Sequence, residues 1–340
     1  METSDLLNLI TSPFKSLFLY HKKKLAFFLF AVLLFLLALF PYSDLTSFSK
    51  EKINQTMKSS GGSVDYSKIN LNLLPFGIKT TDFEFLSRSL KKPLKVQSIT
   101  LRPNILSLFK LQPGGTAVLN GLFSGSADFS FALNGKTEEK TQKFNLSSDL
   151  RNISIADLIS FQNLPYKLTG SLNGDLFAEG EDSFRVQPKG EFKFNMRKVV
   201  IPSTISIPNV GDIPLPKKVT WQNSNLFGKI EKGKVTITEG TLGTKSAPIN
   251  GRYKGFIKCS LNKSGTKVSQ SCTDYDIRVE LELNAEFQKK LAADLKPLIN
   301  PRNVNIVSLP QGGAKYLFSV QGNASQRFRA PRFSSINVFE

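Results

Sequence analysis

Two hydrophobic patterns divide this chain. Leu25 to Phe40 reads LAFFLFAVLLFLLALF, with no polar or charged side chain, whereas from residue 63 onward apolar and polar positions alternate. A helical run of about 16 residues rises about 24 Å, and a snorkelling Lys24 and the ring of Tyr42 extend it toward the ~30 Å hydrocarbon thickness of a bilayer. Three readings compete for it. A cleaved signal peptide wants small residues just after the apolar run, where this chain has Phe40-Pro41-Tyr42-Ser43. A core helix this uniformly apolar wants burial on every side, which a β-patterned remainder does not offer. A transmembrane helix over 25–42 fits best. Lys15, Lys22, Lys23 and Lys24 precede it, and Asp44 and then Lys50 are the first charges after it, so the positive-inside rule keeps residues 1–24 in the cytoplasm. Phe14, Leu17 and Phe18, at helical spacing, suggest a short interfacial piece within that segment.

Residues 43–62 read as a linker helix, with Leu45, Ile53 and Met57 on one side and Gly61-Gly62 at its end. The remainder, 63–340, predicts strands. Ile69, Leu71 and Leu73, then Ile78, Phe83 and Phe85 beyond the Pro75-Phe76-Gly77 turn, make a first hairpin. Val96 to Leu101 is another strand. Ala127, Phe129, Phe131 and Leu133 alternate up to Asn134-Gly135, a strong hairpin dipeptide, before Phe144 and Leu146 resume. Gly170 and Gly174 take inward positions in Leu168 to Leu176, which predicts bulges or close backbone approach, and Phe192, Phe194 and Met196 continue the pattern. Similar glycine-bearing strands recur at Gly251 to Ile257 and Tyr316 to Gly322. Pro202, Pro208, Pro214 and Pro216 exclude a central strand over 201–217 and offer a boundary between two halves. Two helices are expected among the strands. Ser154 to Phe161 has Ser154 as N-cap and Asp157 at the capping-box position. Ala285 to Ile299 places Phe287, Leu291, Leu295 and Leu298 on one face. The expected fold is mainly β: one N-terminal transmembrane helix, then an extended, curved antiparallel sheet forming a groove or half-barrel, with one or two short helices.

Composition sharpens this picture in three places. Phe occurs 28 times against 7 Tyr and 1 Trp, a large apolar surface that serves either as a core or as a groove. Phe129, Phe131, Phe192 and Phe194 alternate with polar neighbours, so they are the candidate groove lining, with ordinary sheet core as the plainer reading. The formal net charge is +18, yet the lysines are spread along strands and not gathered in one arm. Anionic headgroups or an acidic protein surface therefore suit this chain better than nucleic acid. Cys259 and Cys272 are the two cysteines, one at the end of Gly251 to Cys259 and the other before Tyr275 to Leu283, with Asn262 to Gly265 as the turn. A structural disulfide across this hairpin is expected in an oxidising compartment, with two free thiols as the alternative.

Catalytic chemistry is hard to place. His21, the single histidine, stands at the cytoplasmic boundary of the apolar run, which leaves no triad, Cys-His dyad or histidine metal site for the region beyond. Asn134-Gly135-Lys136-Thr137 resembles the end of a phosphate loop, but Ser130 stands where its first glycine should be. In Gly121-Leu122-Phe123-Ser124-Gly125 the serine comes one position late for a nucleophile elbow. The acid pairs Glu138-Glu139 and Glu181-Asp182 fall in polar loops. No enzyme, metal or cofactor is expected.

The order of features resembles the type II secretion system protein N family and, more broadly, the AsmA-like group of membrane-anchored β proteins. The resemblance is carried by the apolar run, the helix leading to Val64 through Gly77, the segment Leu168 to Leu176, Ala247-Pro248-Ile249-Asn250-Gly251, and Tyr316 to Gly322 with Pro331. It implies a single-pass inner-membrane protein with a periplasmic β domain, serving as an accessory or structural component of the type II secretion system with inner-membrane and periplasmic secretion proteins as partners. The alternative it implies is an AsmA-like protein that binds or transfers lipid in an apolar groove.

Overall fold

The computed structural model describes residues 46–339 except 59–61, 74–75, 88–91, 105–112, 137–140, 165, 208–210, 216, 265–266, 290–303, 324–331 and 338. The expected membrane span at 25–42, the lysines Lys15, Lys22, Lys23 and Lys24, and the distal part of the helix expected from Ala285 lie outside the described residues. Among those described, no helix is long and apolar enough to cross a membrane.

The alternating pattern folds as one curved, open antiparallel sheet. Helix α1 (Thr46–Lys58) leads into β1 (Gly62–Asp65), β2 (Lys68–Leu73), β3 (Phe76–Ser87), β4 (Leu94–Pro103), β5 (Gly114–Leu122), β6 (Gly125–Lys136) and β7 (Gln142–Ser154). Helix α2 (Ile155–Phe161) precedes β8 (Thr169–Glu181) and β9 (Lys189–Ile201). The proline-punctuated segment then leaves the sheet as a separate hairpin of β10 (Thr204–Ile207) and β11 (Gly211–Pro214). The sheet resumes with β12 (Val219–Glu231), β13 (Lys234–Leu242), β14 (Ile249–Ser264) and β15 (Lys267–Leu283), and ends in β16 (Asn305–Ser308), β17 (Ala314–Asn323) and β18 (Arg332–Ser335). Strand β12 pairs directly with β9, so the sheet is continuous past the prolines. Its order is β1-β3-β4-β5-β6-β7-β8-β9-β12-β13-β14-β15-β17-β16.

Both edges are finished in the same way. Strands β1 and β2 lie end to end along β3, and β16 and β18 lie end to end along β17. Such short edge strands offer little continuous backbone to another chain.

Register separates an apolar face from a polar one. One apolar row runs from Leu101 on β4 through Ala117, Phe129, Leu176 and Phe192 to Ile277, Val320 and Phe333 on β18. The neighbouring row on the opposite face carries Arg102, Thr116, Ser130, Glu191, Lys229 and Asp276. Simple alternation does not explain all of it, because Leu150 and Ile153 share a cluster although they stand three positions apart. Four strands running the same way carry one residue with positive φ near their ends: Asp82 on β3, Gly121 on β5, Asn152 on β7 and Lys198 on β9. The ladder shifts register beside Gly121, Asn152 and Lys198. Each bulge resets the phase of the alternation and bends the sheet.

The core lies at the end where these strands finish, called here the closed end. In the first half of the sheet Val96, Leu122, Ala127 and Ile153 are buried together, with Phe123 packed against them, and α2 reaches this cluster through the Phe161 ring, 5.2 Å from that of Phe123. Ser154 caps α2 by accepting from the Asp157 N–H at 3.2 Å. The expected capping box is half made: the Ser154 N–H donates to Phe123 O, and the Asp157 carboxylate instead accepts from Ser124 Oγ at 2.6 Å. In the second half Ile201, Val219, Ile249, Leu283 and Ala314 pack with Leu215 from the proline segment, Val304, and Phe287 from a helical stretch over 285–289. Asn284 caps that stretch by accepting from the Phe287 N–H at 3.0 Å.

Polar contacts hold α1 to the sheet. The Asn54 amide donates to Val64 O and accepts from Val64 N at 3.0 and 2.7 Å, as a neighbouring strand would. Lys50 pairs with Asp65 at 2.6 Å. Ile53, expected on an apolar side, is exposed.

Candidate functional site

Toward the other, open end, no second layer covers the apolar face among the described residues. Leu101 and Phe131 are 44% and 45% exposed, and Leu146, Ala178, Ile230, Val235, Ile257 and Tyr275 beside them are all part-exposed. The four phenylalanines singled out in the sequence do share this face. Phe129 and Phe192 stand in one row, three strands apart, and the Phe192 and Phe194 rings stack with centroids 5.6 Å apart. They differ in access: Phe192 is buried and Phe131 is open.

The rings of this face lie over glycines. Phe192 is opposite Gly228, Phe194 opposite Gly174, Tyr253 opposite Gly240 and Tyr275 opposite Gly322, each pair directly in register. At all four glycines a Cβ would overlap the ring of its partner. The missing side chains let the aromatics lie down across the neighbouring strand, which makes a broad floor in place of a row of upright rings. Sequence reasoning missed Tyr253 and Tyr275. The signal was present in the spacing of inward glycines but depends on which strand lies next, and register supplies that. Burial on this floor pushes the Tyr253 hydroxyl up to about 12.

The Asn134-Gly135 dipeptide is not the turn itself. β6 continues to Lys136, paired with Gln142, and Gly135 occupies a register shift one step before the turn.

Cys259 and Cys272 face each other in register and are bonded, with sulfurs 2.09 Å apart. β13 pairs β14 only as far as Lys258, and β17 pairs β15 from Asp274 onward. Among the described residues, the strand pairing of 259–272 is therefore internal, an arm projecting from the open end with the disulfide at its base and the Cys259 N–H donating to Gly233 O at 2.8 Å.

The polar face holds a cavity of about 580 Å³. Asp128, Asp149 and Asp175 line it in register on β6, β7 and β8. Arg151 pairs with Asp149 and lies 3.2 Å from Asp128. The hydrogen bond to Asp149, then the surrounding carboxylates, push the Arg151 pKa above its ordinary value. Among the described residues no group of three or more His, Cys, Asp or Glu side chains is placed to hold a metal ion.

No protein-family model, curated protein or solved structure matches this chain.

Proposed function

We propose that this chain is a non-enzymatic, membrane-tethered holder of lipid acyl chains, which lie along the uncovered part of the apolar sheet face. The observation that carries the reading is that one continuous apolar face is plugged at one end and, among the described residues, left without a second layer toward the other. Its flattened aromatic floor offers contact area that is mostly apolar, with the Tyr253 and Tyr275 hydroxyls as its polar groups, which suits a ligand with few hydrogen bonds to satisfy. A photoreactive phenylalanine analogue placed at Phe131 in cells is expected to yield phospholipid adducts. The same analogue at Phe177, 40% exposed on the polar face, is expected to yield none. Equal adducts at both positions, or none at Phe131, would refute the reading.

The tether in this proposal is the apolar run at 25–42, with the sheet on the non-cytoplasmic side of the inner membrane. Protease added to intact spheroplasts is expected to digest the sheet domain, and its full protection would reverse the topology. The layout resembling the type II secretion protein N family supports placing the chain beside that apparatus. Crosslinking in native membranes should then co-purify secretion components.

A further inference from the structure

Val186 at 64% and Val268 at 54% are the two most exposed large apolar side chains among the described residues. They belong to different segments at the same open end of the sheet. Val186 lies in the 182–188 connection between β8 and β9, and Val268 on the projecting arm. Specific contacts bind the two segments together. The Gln187 amide donates to Leu261 O at 2.9 Å and accepts from Leu261 N at 2.8 Å. Lys263, the register partner of Val268, donates to Asp182 at 3.0 Å.

The 182–188 loop is built so that Val186 stays out. Phe184 turns inward, its ring edge-on to Phe144 at 6.0 Å, and its carbonyl accepts from the Gln187 amide at 2.8 Å. Pro188 is buried, while Arg185 and Val186 face solvent. An ordered loop that leaves a valine in water forgoes burial that an inward turn would provide. Each of these valines also follows a cation in sequence, Arg185-Val186 and Lys267-Val268. An apolar tip beside a cation suits the headgroup layer of an anionic bilayer, where the side chain reaches the acyl boundary and the charge stays among the phosphates.

We propose that the 182–188 loop and the arm form a two-pronged tip that docks on a lipid surface bearing anionic headgroups. The N-terminal apolar run joins the sheet through α1 and β1 at the closed end, so this contact is separate from the tether. It does not depend on the apolar face holding acyl chains.

The test uses the full chain in phosphatidylcholine nanodiscs, mixed with free vesicles of phosphatidylcholine alone or with added phosphatidylglycerol, and read by flotation. Retention is expected only on the anionic vesicles and should fall steeply with salt. Val186→Ser combined with Val268→Ser should weaken it by ~10-fold or more, with circular dichroism unchanged. In a Val268→Trp chain, read against the parent's Trp221, added emission should be quenched by brominated lipid. Undiminished retention of the double variant, equal retention on neutral vesicles, or no retention of the parent chain would each overturn the proposal.

Discussion

The two ends of the apolar face are made of the same kinds of residue and have opposite fates. At the closed end Ile201, Val219, Ile249 and Leu283 are buried, while toward the open end Leu101, Phe131, Ile230 and Ile257 remain in contact with solvent. The strands do not cause this difference. At the closed end the connection between β9 and β12 and the stretch after β15 fold back and supply Leu215 and Phe287 as a second layer. Among the described connections at the other end, β12 to β13 is only the turn at 232–233, and 182–188 supplies a single ring, Phe184 against Phe144. Whether a β face becomes a core or a surface is decided here by its loops.

The sharpest way to break this contrast is to empty the closed end. Phe287→Ala should cost about 3–5 kcal/mol, measured by denaturant unfolding, whereas Phe131→Ala should cost well under that because its ring is already half in water. Similar losses at both positions would mean that the open end is a core after all.

Removing the disulfide with Cys259→Ser and Cys272→Ser should cost up to about 3 kcal/mol in the chain-entropy model. Because the strand pairing of the arm is internal, hydrogen exchange should speed up in 259–272, least at Leu261, whose N–H donates to Gln187, and remain unchanged at Ile249 and Leu283.

Gly228→Ala should cost about 1–3 kcal/mol, a penalty of overpacking, because its Cβ would overlap both the Phe192 ring and the Thr236 carbonyl oxygen. Combining it with Phe192→Leu should recover part of that loss, which a simple backbone effect of the glycine would not allow.

The smallest effect concerns Tyr253. Its pKa is raised to about 12 by burial, so the fold favours the protonated hydroxyl. Its contribution is intact below about pH 10, where the unfolded chain also keeps its proton, and is lost as pH rises from there through about 12. Tyr253→Phe should flatten the alkaline limb of the stability profile across that window.

Much of this architecture can be read from residue order. The strands at Ala127 to Leu133 and Gly251 to Ile257, the Ser154 cap and the cysteine hairpin all follow from local pattern, because each is decided by neighbours within a few residues. What cannot be read that way depends on phase and register. Asn152 and Lys198 give no strong local signal of a bulge, yet the ladder shifts register beside each of them. Asp82 also takes a left-handed backbone conformation, between Ile78 and Phe83, without a shift of the β3–β4 register. The glycine seats under Phe194 and Tyr275 are likewise properties of strand pairs. Val186 stands out only once its loop is seen to turn Phe184 inward and leave it behind.

The strand order has a consequence for how the chain is assembled. Apart from the β10–β11 detour and the edge strands, each strand pairs with the one made just before it. The sheet can therefore grow by adding one hairpin arm at a time, and no early strand waits for a partner from the far end of the chain. Local pairing of this kind favours fast folding and shortens the time for which unpaired edges are exposed. A polypeptide delivered from its N-terminus would carry its partly built sheet ahead of it, with β3 already edged by β1 and β2 before β4 arrives.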